Sequence, residues 1–363
     1  MLTIISYESN DNEFNIIPTS KYKQHIKEKE KYYLTFFVGN HKFWKDDKNK
    51  NIDIKPYIKD IKNGKAKILI LFCSEWLWDD YDVRELLNDW IIKYKLPYNS
   101  IVLSSGNYNY GTKLKNHRYI TYIPYSIWEY NLYKWVIQIH DVSFYKTKFY
   151  NHIINKKNRD KTYLCYNRAI RLHRLKLLNK IIEKNILNDG YVSFGIINYN
   201  TNLKSFSKEL IDSLPLNFDS TNLNKNQAFD LTIQDYLNTY ISVVTETTFI
   251  KNEIFISEKI CKPLFALHPF IIVSCPGFLK FLKSIGYKTF SKWIDESYDN
   301  EINLDKRINK ITNQIKILTE KSHDELKNML VDMLPTLIHN HEHFITRATN
   351  SEFIYQLEEE LWK

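Results

Sequence analysis

The sequence predicts an α/β protein with two parallel-sheet domains, and three observations support that fold class. The nearly continuous apolar runs Lys65–Cys73 and Ile241–Thr245 are typical of parallel strands buried on both faces. An amphipathic helix at Asp82–Lys95 and a strand at Ile101–Leu103 follow the first run, which gives a strand–helix–strand unit. The length of 363 residues is long for one core and sufficient for two.

The first domain is predicted to span residues 1–155. Residues 1–31 are polar and are expected to be irregular, whereas Tyr32–Val38 has the pattern of a strand. Residues 108–150 are rich in Tyr, Trp and His and match neither periodicity clearly. The lysine- and asparagine-rich run Asn151–Lys161 is interpreted as the linker between the domains.

The second domain is predicted to span residues 156–335, with a helical tail at 336–363. Ser257 is a favourable N-cap for a helix that begins at Glu258, and Gly286 is a favourable end for a later one. The other strands are predicted at Thr162–Tyr166, Tyr191–Phe194 and Phe270–Ser274, and the helices at Arg171–Glu183, Ser205–Leu214, Leu279–Ile285, Leu304–Leu318, His323–Asn340 and Glu352–Trp362. In Arg171–Glu183 the apolar face is predicted to be Leu172, Leu175, Leu178, Ile181 and Ile182.

Composition narrows the function classes. The net charge of +9 suits acidic partners such as nucleotide sugars, polyanionic glycans or nucleic acid, and it is equally consistent with lysines that keep the surface soluble. The four cysteines are far apart, which predicts reduced, buried thiols in a cytoplasmic protein. No signal peptide or membrane span is predicted, because acidic residues interrupt the N-terminus and no apolar run reaches about 18 residues. The sequence has neither GxGxxG nor a Walker A motif, which disfavours dinucleotide-dependent redox enzymes and P-loop NTPases.

The first candidate binding group follows the predicted strand Thr162–Tyr166. It consists of Asn167, Arg168, Arg171 and Arg174, with His173 beside them. Ligands of open α/β sheets bind at the carboxyl ends of strands, and arginine can grip a diphosphate through two parallel hydrogen bonds. These residues therefore predict a diphosphate site, with Arg168 the first candidate and Arg171 the second; the alternative is that His173 and Arg174 only solvate the helix.

The second candidate group is Glu246, Glu258, Lys259 and Lys262. Glu246 follows a predicted strand, and Glu258 and Lys259 open a helix, where free backbone N–H groups and the helix dipole favour an anion. A third, acidic group contains Asp295 and Glu296, which either contact sugar hydroxyls and the arginines or cap the next helix.

The second group carries a family resemblance. Ser257-Glu258-Lys259, preceded by Glu246 and followed by a strand and Pro276-Gly277, resembles the nucleotide-sugar site of fucosyltransferase-type GT-B glycosyltransferases. The chain resembles more closely the glycosyltransferase-like proteins of phages and large viruses, whose (S/T)EK-x2-KP, HPF, G(F/Y)KTF and W-x-DES-YD elements correspond here to Ser257–Pro263, His268–Phe270, Gly286–Phe290 and Trp293–Asp299. The resemblance covers roughly the C-terminal half. It departs from the fucosyltransferase pattern at Thr247 and Thr248, which replace Asn and Ser, and at Pro269-Phe270-Ile271, which replaces Val-Pro-Val.

The resemblance implies a GT-B fold, with two Rossmann-like domains and a C-terminal helical tail. It implies a metal-independent transferase that moves a sugar from a nucleoside diphosphate sugar to a hydroxyl of a glycan or glycoprotein, with no further cofactor. Arg168 and Lys259 would contact the diphosphate, and Glu258 the ribose hydroxyls. The catalytic base would come from the first domain, where Glu75 directly follows a predicted strand and Asp79, Asp80 and His117 are alternatives.

Other functions remain open at this point. The chain could glycosylate hydroxymethylated bases of DNA, could bind nucleotide sugars or glycans without catalysis, or could be a structural virion protein; if viral, it would act in the host cytoplasm. A metal site is disfavoured. Asp80-Tyr81-Asp82 reads as a helix start, and the histidines at 339, 341 and 343 have no evident partner carboxylate or cysteine.

Overall fold

A computed structural model describes residues 3–7, 31–38, 54–72, 83–108, 114, 116–198, 202–204, 206–216, 231–247, 249, 254–349 and 351–363. The predicted α/β fold class, with two parallel sheets and a helical C-terminus, is confirmed. The chain forms two compact units. Unit 1 contains Met1–Asn131 and Thr349–Lys363, and unit 2 contains Leu132–Ala348.

Unit 1 is built on a five-stranded parallel sheet whose described strands lie side by side in chain order. The expectation that residues 1–31 are irregular is wrong for Thr3–Tyr7, which forms the first strand and pairs in register with Tyr32–Phe36. Pairing satisfies backbone groups that this edge of the sheet would otherwise leave open. The strands are β1 (Thr3–Tyr7), β2 (Tyr32–Val38), β3 (Ala66–Phe72), β4 (Ile101–Ser105) and β5 (Ile120–Pro124), and the described helices are α1 (Ile58–Lys62), α2 (Val83–Tyr94) and α3 (Ile127–Ile137), the last of which crosses into unit 2.

Two apolar layers cover this sheet. On one face, Leu87, Trp90 and Ile91 of α2 are buried in the core of the strands, as the periodicity predicts. On the other face lies the last helix of the chain, α12 (Ser351–Trp362). Its residues Phe353, Leu357 and Leu361 pack on Tyr33, Leu69, Leu71, Val102 and Ile123. The C-terminal helix is therefore a layer of unit 1, although it is reached through unit 2.

Unit 2 contains a four-stranded parallel sheet in the order β7-β6-β8-β9. The helix predicted at Ser205–Leu214 is shorter, Lys208–Asp212, because the side chain of Ser207 caps its first turn. The strands are β6 (Lys161–Ile170), β7 (Gly190–Asn198), β8 (Thr239–Thr245) and β9 (Phe270–Val273), and the described helices are α4 (Val142–Ile154), α5 (Leu172–Glu183), α6 (Lys208–Asp212), α7 (Ile233–Leu237), α8 (Glu258–Phe265), α9 (Phe278–Ser284), α10 (Leu304–Thr319) and α11 (His323–Ala348).

The units divide the chain at 131/132 and 348/349, whereas the sequence predicted boundaries at 155/156 and 335/336. Helix α4 explains the first difference, because it packs on unit 2. The ring of Tyr145 meets that of Phe265 edge-on at 5.2 Å, and Lys146 Nζ lies 2.7 Å from a carboxylate oxygen of Glu342. The first residues of the predicted linker, Asn151–Ile154, are the last turn of the same helix.

The strand order of unit 2 contains a reversal that the sheet of unit 1 lacks. From β6 the chain moves outward to β7, then returns to the other side of β6 to form β8 and β9. At such a switch point the connections leave the sheet in opposite directions, and a crevice opens outside the carboxyl ends of the two central strands. In this unit the switch point lies between the ends of β6 and β8.

Candidate functional site

The two candidate groups predicted from the sequence meet at this switch point. Asn167 and Arg168 lie near the carboxyl end of β6, and Glu246 directly follows β8. The hydroxyl of Thr245 donates to Asn167 Oδ1 at 2.6 Å, which joins the two strand ends. Asn167 is buried, and its Nδ2 donates to the sulfur of Cys165 at 3.3 Å. Its amide is therefore used inside the protein, while the neighbouring Arg168 side chain is exposed.

Arg174 is a buried clamp rather than a solvated side chain. It is only 3% exposed, and its guanidinium donates to the carbonyl oxygens of Ala169 (3.2 Å), Thr245 (3.1 Å) and Glu246 (3.4 Å). A charged donor aimed at these carbonyls fixes the start of α5 against the end of β8. The prediction that Arg174 binds the donor stays untested, and its described contacts are structural.

His173 makes the same connection from the neighbouring position. Its Nε2 lies 2.9 Å from the carbonyl oxygen of Glu246, which can only accept, so Nε2 carries the proton. Burial is the main cause that holds the pKa of His173 well below its usual range, and the nearby Arg174 adds to it. The imidazole is therefore neutral near neutral pH. The alternative that His173 and Arg174 only solvate the helix is wrong, because both side chains are buried.

The burial of these two residues also corrects the predicted face of α5. Leu172 and Ile182, which were expected to be in the core, are 44% and 37% exposed. His173, Arg174 and Leu177 are buried in their place, together with Leu175, Leu178 and Ile181. The helix is rotated about its axis relative to the prediction because two polar side chains find hydrogen-bond partners at the end of β8.

Glu246, Ser257 and Lys259 form a connected polar cluster at the start of α8. Ser257 is fully buried, and its hydroxyl donates to Glu246 Oε2 at 2.6 Å. The same oxygen caps the helix by accepting from the backbone N–H of Lys259 at 3.2 Å, and Lys259 Nζ lies 3.3 Å away. A hydroxyl has one proton and two lone pairs, so these three contacts use its full capacity. The sequence predicted the cap but not the bond to Glu246.

Glu258 and Lys259 form an ion pair in the first turn of α8. Lys259 Nζ is 2.8 Å from Glu258 Oε1, and the two side chains are 26% and 12% exposed. Burial by itself raises the pKa of Glu258, but Lys259 and then Lys262 outweigh it and hold that pKa below its usual value. The carboxylate is therefore ionised, and Lys262 is half-buried one turn further along.

An apolar cleft opens beside the two lysines, between α8 and the face of the sheet. Tyr166 of β6 lies in its wall and donates its hydroxyl to the buried carboxylate of Asp235. The remaining lining is aliphatic or aromatic apart from a few hydroxyls, and the lining residues are Leu164, Tyr166, Tyr236, Ser242, Val243, Val244, Thr245, Lys259, Lys262 and Pro263. The cleft therefore combines mainly apolar walls with the side chains of Lys259 and Lys262.

Asp295 and Glu296 accept hydrogen bonds from residues within seven positions of them in the chain. Asp295 accepts from the backbone N–H and the hydroxyl of Ser297, both at 2.9 Å. Glu296 accepts from the backbone N–H of Phe290 at 2.6 Å and from the hydroxyl of Thr289 at 2.7 Å. These bonds hold the loop between α9 and α10 together. The prediction that the two carboxylates bind the donor stays a prediction.

The proposed catalytic base, Glu75, lies outside the described residues, as do its alternatives Asp79 and Asp80. The third alternative, His117, is described and precedes β5, so it lies at the amino-terminal edge of the unit 1 sheet. Glu75 follows the carboxyl end of β3 in the sequence. Because all the described strands are parallel, the carboxyl end of β3 at Phe72 and the position of His117 lie at opposite ends of the strands.

The histidines near the end of α11 contact backbone carbonyl oxygens and so have a structural role. Nε2 of His339 lies 2.9 Å from the carbonyl oxygen of Gly286, and Nε2 of His343 lies 2.7 Å from that of Ile285. His341 is buried and contacts the carbonyl oxygen of Phe265 through Nδ1. Within the described ranges, no group of three or more His, Cys, Asp or Glu residues is arranged to hold a metal ion.

Arg307 is a further residue of this region that the sequence reasoning missed. It lies on α10 and is only 3% exposed, and its guanidinium carbon is 4.0 Å from the ring centroid of Phe249. A signal was available, because Arg307 shares the four-residue spacing of the buried Ile311 and Ile315 and so falls on the apolar face of its helix.

Comparison with solved structures finds chains whose fold is similar to that of this chain. A crystal structure of an alpha1,3-fucosyltransferase is similar to this chain with 13% sequence identity and a TM-score of 0.38, over 90% of this chain and 93% of that one. No protein-family model matches the chain. No curated protein matches it either. Within the described part of the chain, no helix combines the length and apolarity needed to cross a membrane.

Proposed function

We infer that the protein is a GT-B glycosyltransferase that binds a nucleoside diphosphate sugar in unit 2 and transfers the sugar to a hydroxyl group of a glycan or glycoprotein. The observation that carries this proposal is the meeting of the two candidate groups at the switch point between β6 and β8. Ligands of open parallel sheets bind at such a point. The motif resemblance of Ser257-Glu258-Lys259 supports the nucleotide-sugar class.

The charges at the site suit a diphosphate leaving group. Arg168 is exposed, Arg171 is half-buried at the N-cap position of α5, and Lys259 and Lys262 lie at the cleft. Positive charge placed around the leaving diphosphate stabilises the negative charge that develops on it in the transition state. We propose that these four side chains supply that charge without a metal ion, and that Glu258 accepts hydrogen bonds from ribose hydroxyls.

A catalytic base is needed to take the proton of the acceptor hydroxyl. We propose Glu75 for this role, because in the sequence it comes three residues after Phe72, where β3 ends. Replacing a general base slows the chemical step by about 10²- to 10⁴-fold. A Glu75→Gln variant should therefore lose turnover while it keeps the nucleotide affinity of the original protein.

The experiment is a thermal-shift screen with nucleoside diphosphates and their sugars, followed by an assay for release of the nucleoside diphosphate. A ligand at a hundred times its dissociation constant stabilises a protein by about 2.7 kcal/mol, which gives a visible shift. One donor should stabilise the original protein, and Arg168→Ala and Lys259→Ala should respond much less. Lys306→Ala, which removes an exposed lysine of α10, is the matched control. The proposal fails if no nucleotide stabilises the protein, or if both Arg168→Ala and Lys259→Ala respond to the nucleotide as fully as the original protein and the control do.

A further inference from the structure

The least explained charged group of unit 2 is the guanidinium of Arg307. Its side chain is 97% removed from solvent, since it is 3% exposed, and both Nε and Nη1 are buried without a hydrogen-bond partner in the described part of the chain. Buried polar groups are nearly always hydrogen-bonded, and a buried charge with unused donors lowers the stability of the folded state. A side chain that carries this cost while an aliphatic residue would fit the apolar face of α10 calls for a second role.

The nearest acidic side chains do not neutralise Arg307 by hydrogen bonding. The carboxylate of Asp299 accepts from the backbone N–H groups of Leu279 (3.0 Å) and Lys280 (3.2 Å). Glu301 accepts from the backbone N–H of Asn303 at 3.1 Å and lies 3.6 Å from Lys310 Nζ. Both carboxylates are therefore engaged elsewhere, and they act on Arg307 only at a distance.

A second buried arginine of the same unit shows what a structural role looks like. Arg159 is 4% exposed, and its Nη1 donates to the carbonyl oxygens of Tyr236 (2.7 Å) and Thr239 (2.6 Å). Arg174 donates to three carbonyl oxygens in the same way. Each of these guanidinium groups holds backbone in place. Arg307 instead makes a ring contact with Phe249, and its Nε and Nη1 are buried without a hydrogen-bond acceptor among the described residues.

The position of Arg307 connects it to the switch point. Phe249, whose ring it covers, also stacks on the imidazole of His173 at 4.8 Å with an interplanar angle of 17°. His173 in turn contacts the carbonyl oxygen of Glu246 at the end of β8. After burial, the positive charges of Arg174, Arg171 and Arg307 are the causes that hold the pKa of His173 so low. Arg174 of α5 and Arg307 of α10 thus lie on the groups that contact this neutral imidazole, at the carboxyl ends of β6 and β8.

We propose that Arg307 is an anion-binding residue of this site and that its Nε and Nη1 donate to a phosphate group held beside Arg171. The inference rests on the proposed function for the identity of the anion, which is there the diphosphate of the donor. A phosphate oxygen supplies the acceptors that the protein does not, so binding removes the cost of the unpartnered charge. The energy of an unsatisfied group in the free protein becomes affinity in the complex.

The test measures two quantities on the full chain, the melting temperature alone and its rise with inorganic pyrophosphate. The variants are Arg307→Met, Arg307→Lys and, as the control of equal charge change on the same helix, Lys306→Met. Arg307→Met should melt at the same temperature as the original protein or higher, and its affinity for pyrophosphate should fall about 10- to 100-fold. Arg307→Lys should keep part of the response, and Lys306→Met should keep all of it.

The opposite pattern overturns the proposal. A structural Arg307 predicts a lower melting temperature for Arg307→Met with an unchanged pyrophosphate response, and Lys306→Met losing the response equally would mean that only net charge matters. If Arg307→Met does not fold, Arg307→Lys decides, since an unchanged response refutes the assignment and a weaker one supports it.

The two proposals fail in different ways. A pyrophosphate response that depends on Arg307, without release of nucleoside diphosphate from any sugar donor, would remove the glycosyltransferase proposal and leave the anion site. If Arg307→Met transfers sugar at the original rate and binds the donor with the original affinity, the glycosyltransferase proposal stands and the anion-site proposal is refuted.

Discussion

Breaking the buried ion pair between Lys67 and Glu360, which joins the last helix to the middle of the sheet, should cost unit 1 several kcal/mol. Lys67 Nζ lies 3.1 Å from Glu360 Oε1 and 2.5 Å from the backbone carbonyl oxygen of the same residue. The side chains are 9% and 6% exposed. Removing one member of a buried pair costs about 3–5 kcal/mol, because the other charge stays buried without its partner.

The structure places the expected loss at the lower end of that range. After Lys67→Met, Glu360 would still accept from the hydroxyl of Thr121 at 3.0 Å and would keep Lys363 at 3.3 Å. We therefore expect Lys67→Met to lower the free energy of unfolding by about 3 kcal/mol. Urea denaturation followed by circular dichroism measures it. In the exposed pair of Lys292 and Asp332, whose side chains are 66% and 53% exposed, Lys292→Met should have little effect on the free energy of unfolding.

The pH dependence of the loss gives a second check with a defined sign. Burial alone raises the pKa of Glu360, but Lys67 and Thr121 outweigh it and hold the pKa below its usual value. That stabilisation is present above the unfolded pKa of about 4.3 and is lost as the pH falls through the folded value. Without Lys67, burial dominates and raises the pKa of Glu360. The destabilisation by Lys67→Met should therefore be larger at pH 7 than at pH 4.

Two results would refute this reasoning. The first is a loss in Lys67→Met no larger than that in Lys292→Met, which would mean that the pair is effectively solvated. The second is a loss that grows toward pH 4, because a carboxylate left unpaired in the core must become easier to bury when it is protonated. The double variant Lys67→Met/Glu360→Leu should recover part of the loss, since it removes both charges.

Two further predictions concern the cap of α8 and the end of α9. Ser257→Ala removes both the helix cap and the hydrogen-bond donor to Glu246, and it should destabilise unit 2 by about 2 kcal/mol. Ser257→Thr keeps a hydroxyl and should retain most of that stability. Equal losses for the two variants in a denaturation series would contradict the role of these two hydrogen bonds. Gly286→Ala should lower the melting temperature more than Gly64→Ala. Both glycines have a positive φ, but only at Gly286 would the new Cβ lie 2.7 Å from the His343 ring. Equal decreases in melting temperature would show that the His343 ring moves aside freely.

Local signals in the sequence were sufficient for most elements of unit 2. The run that becomes β8 is β-branched and apolar, and Ser257 precedes Glu258 and Lys259 with the chemistry of a helix cap, so strand and helix start were both predictable. The same holds for α10, whose apolar residues recur with helical spacing. Each of these features depends on neighbours within a few positions in the chain.

The strand order and the partners of polar side chains required the tertiary structure. The sequence offered Arg174 as a donor-binding residue, with solvation of the helix as the alternative, whereas the structure buries it against carbonyl oxygens from residues 71 and 72 positions away. The strand at Thr3–Tyr7 was missed for a related reason, since its pairing with β2 crosses a segment of polar sequence. Non-local hydrogen bonds decide such cases, and no periodicity records them.

The sequence by itself determined that this chain is an α/β protein with a strand-end arginine group and a Ser-Glu-Lys helix start. Only the tertiary structure decided that these two groups meet at one switch point, because the order β7-β6-β8-β9 puts the ends of β6 and β8 side by side. It also connected Arg307 to His173 through Phe249, with Nε and Nη1 donors that have no hydrogen-bond partner in the part of the chain that the structure describes. The physical reason is that residue types and short spacings fix local conformation, whereas the return of the chain across a sheet is fixed by the packing of the whole unit.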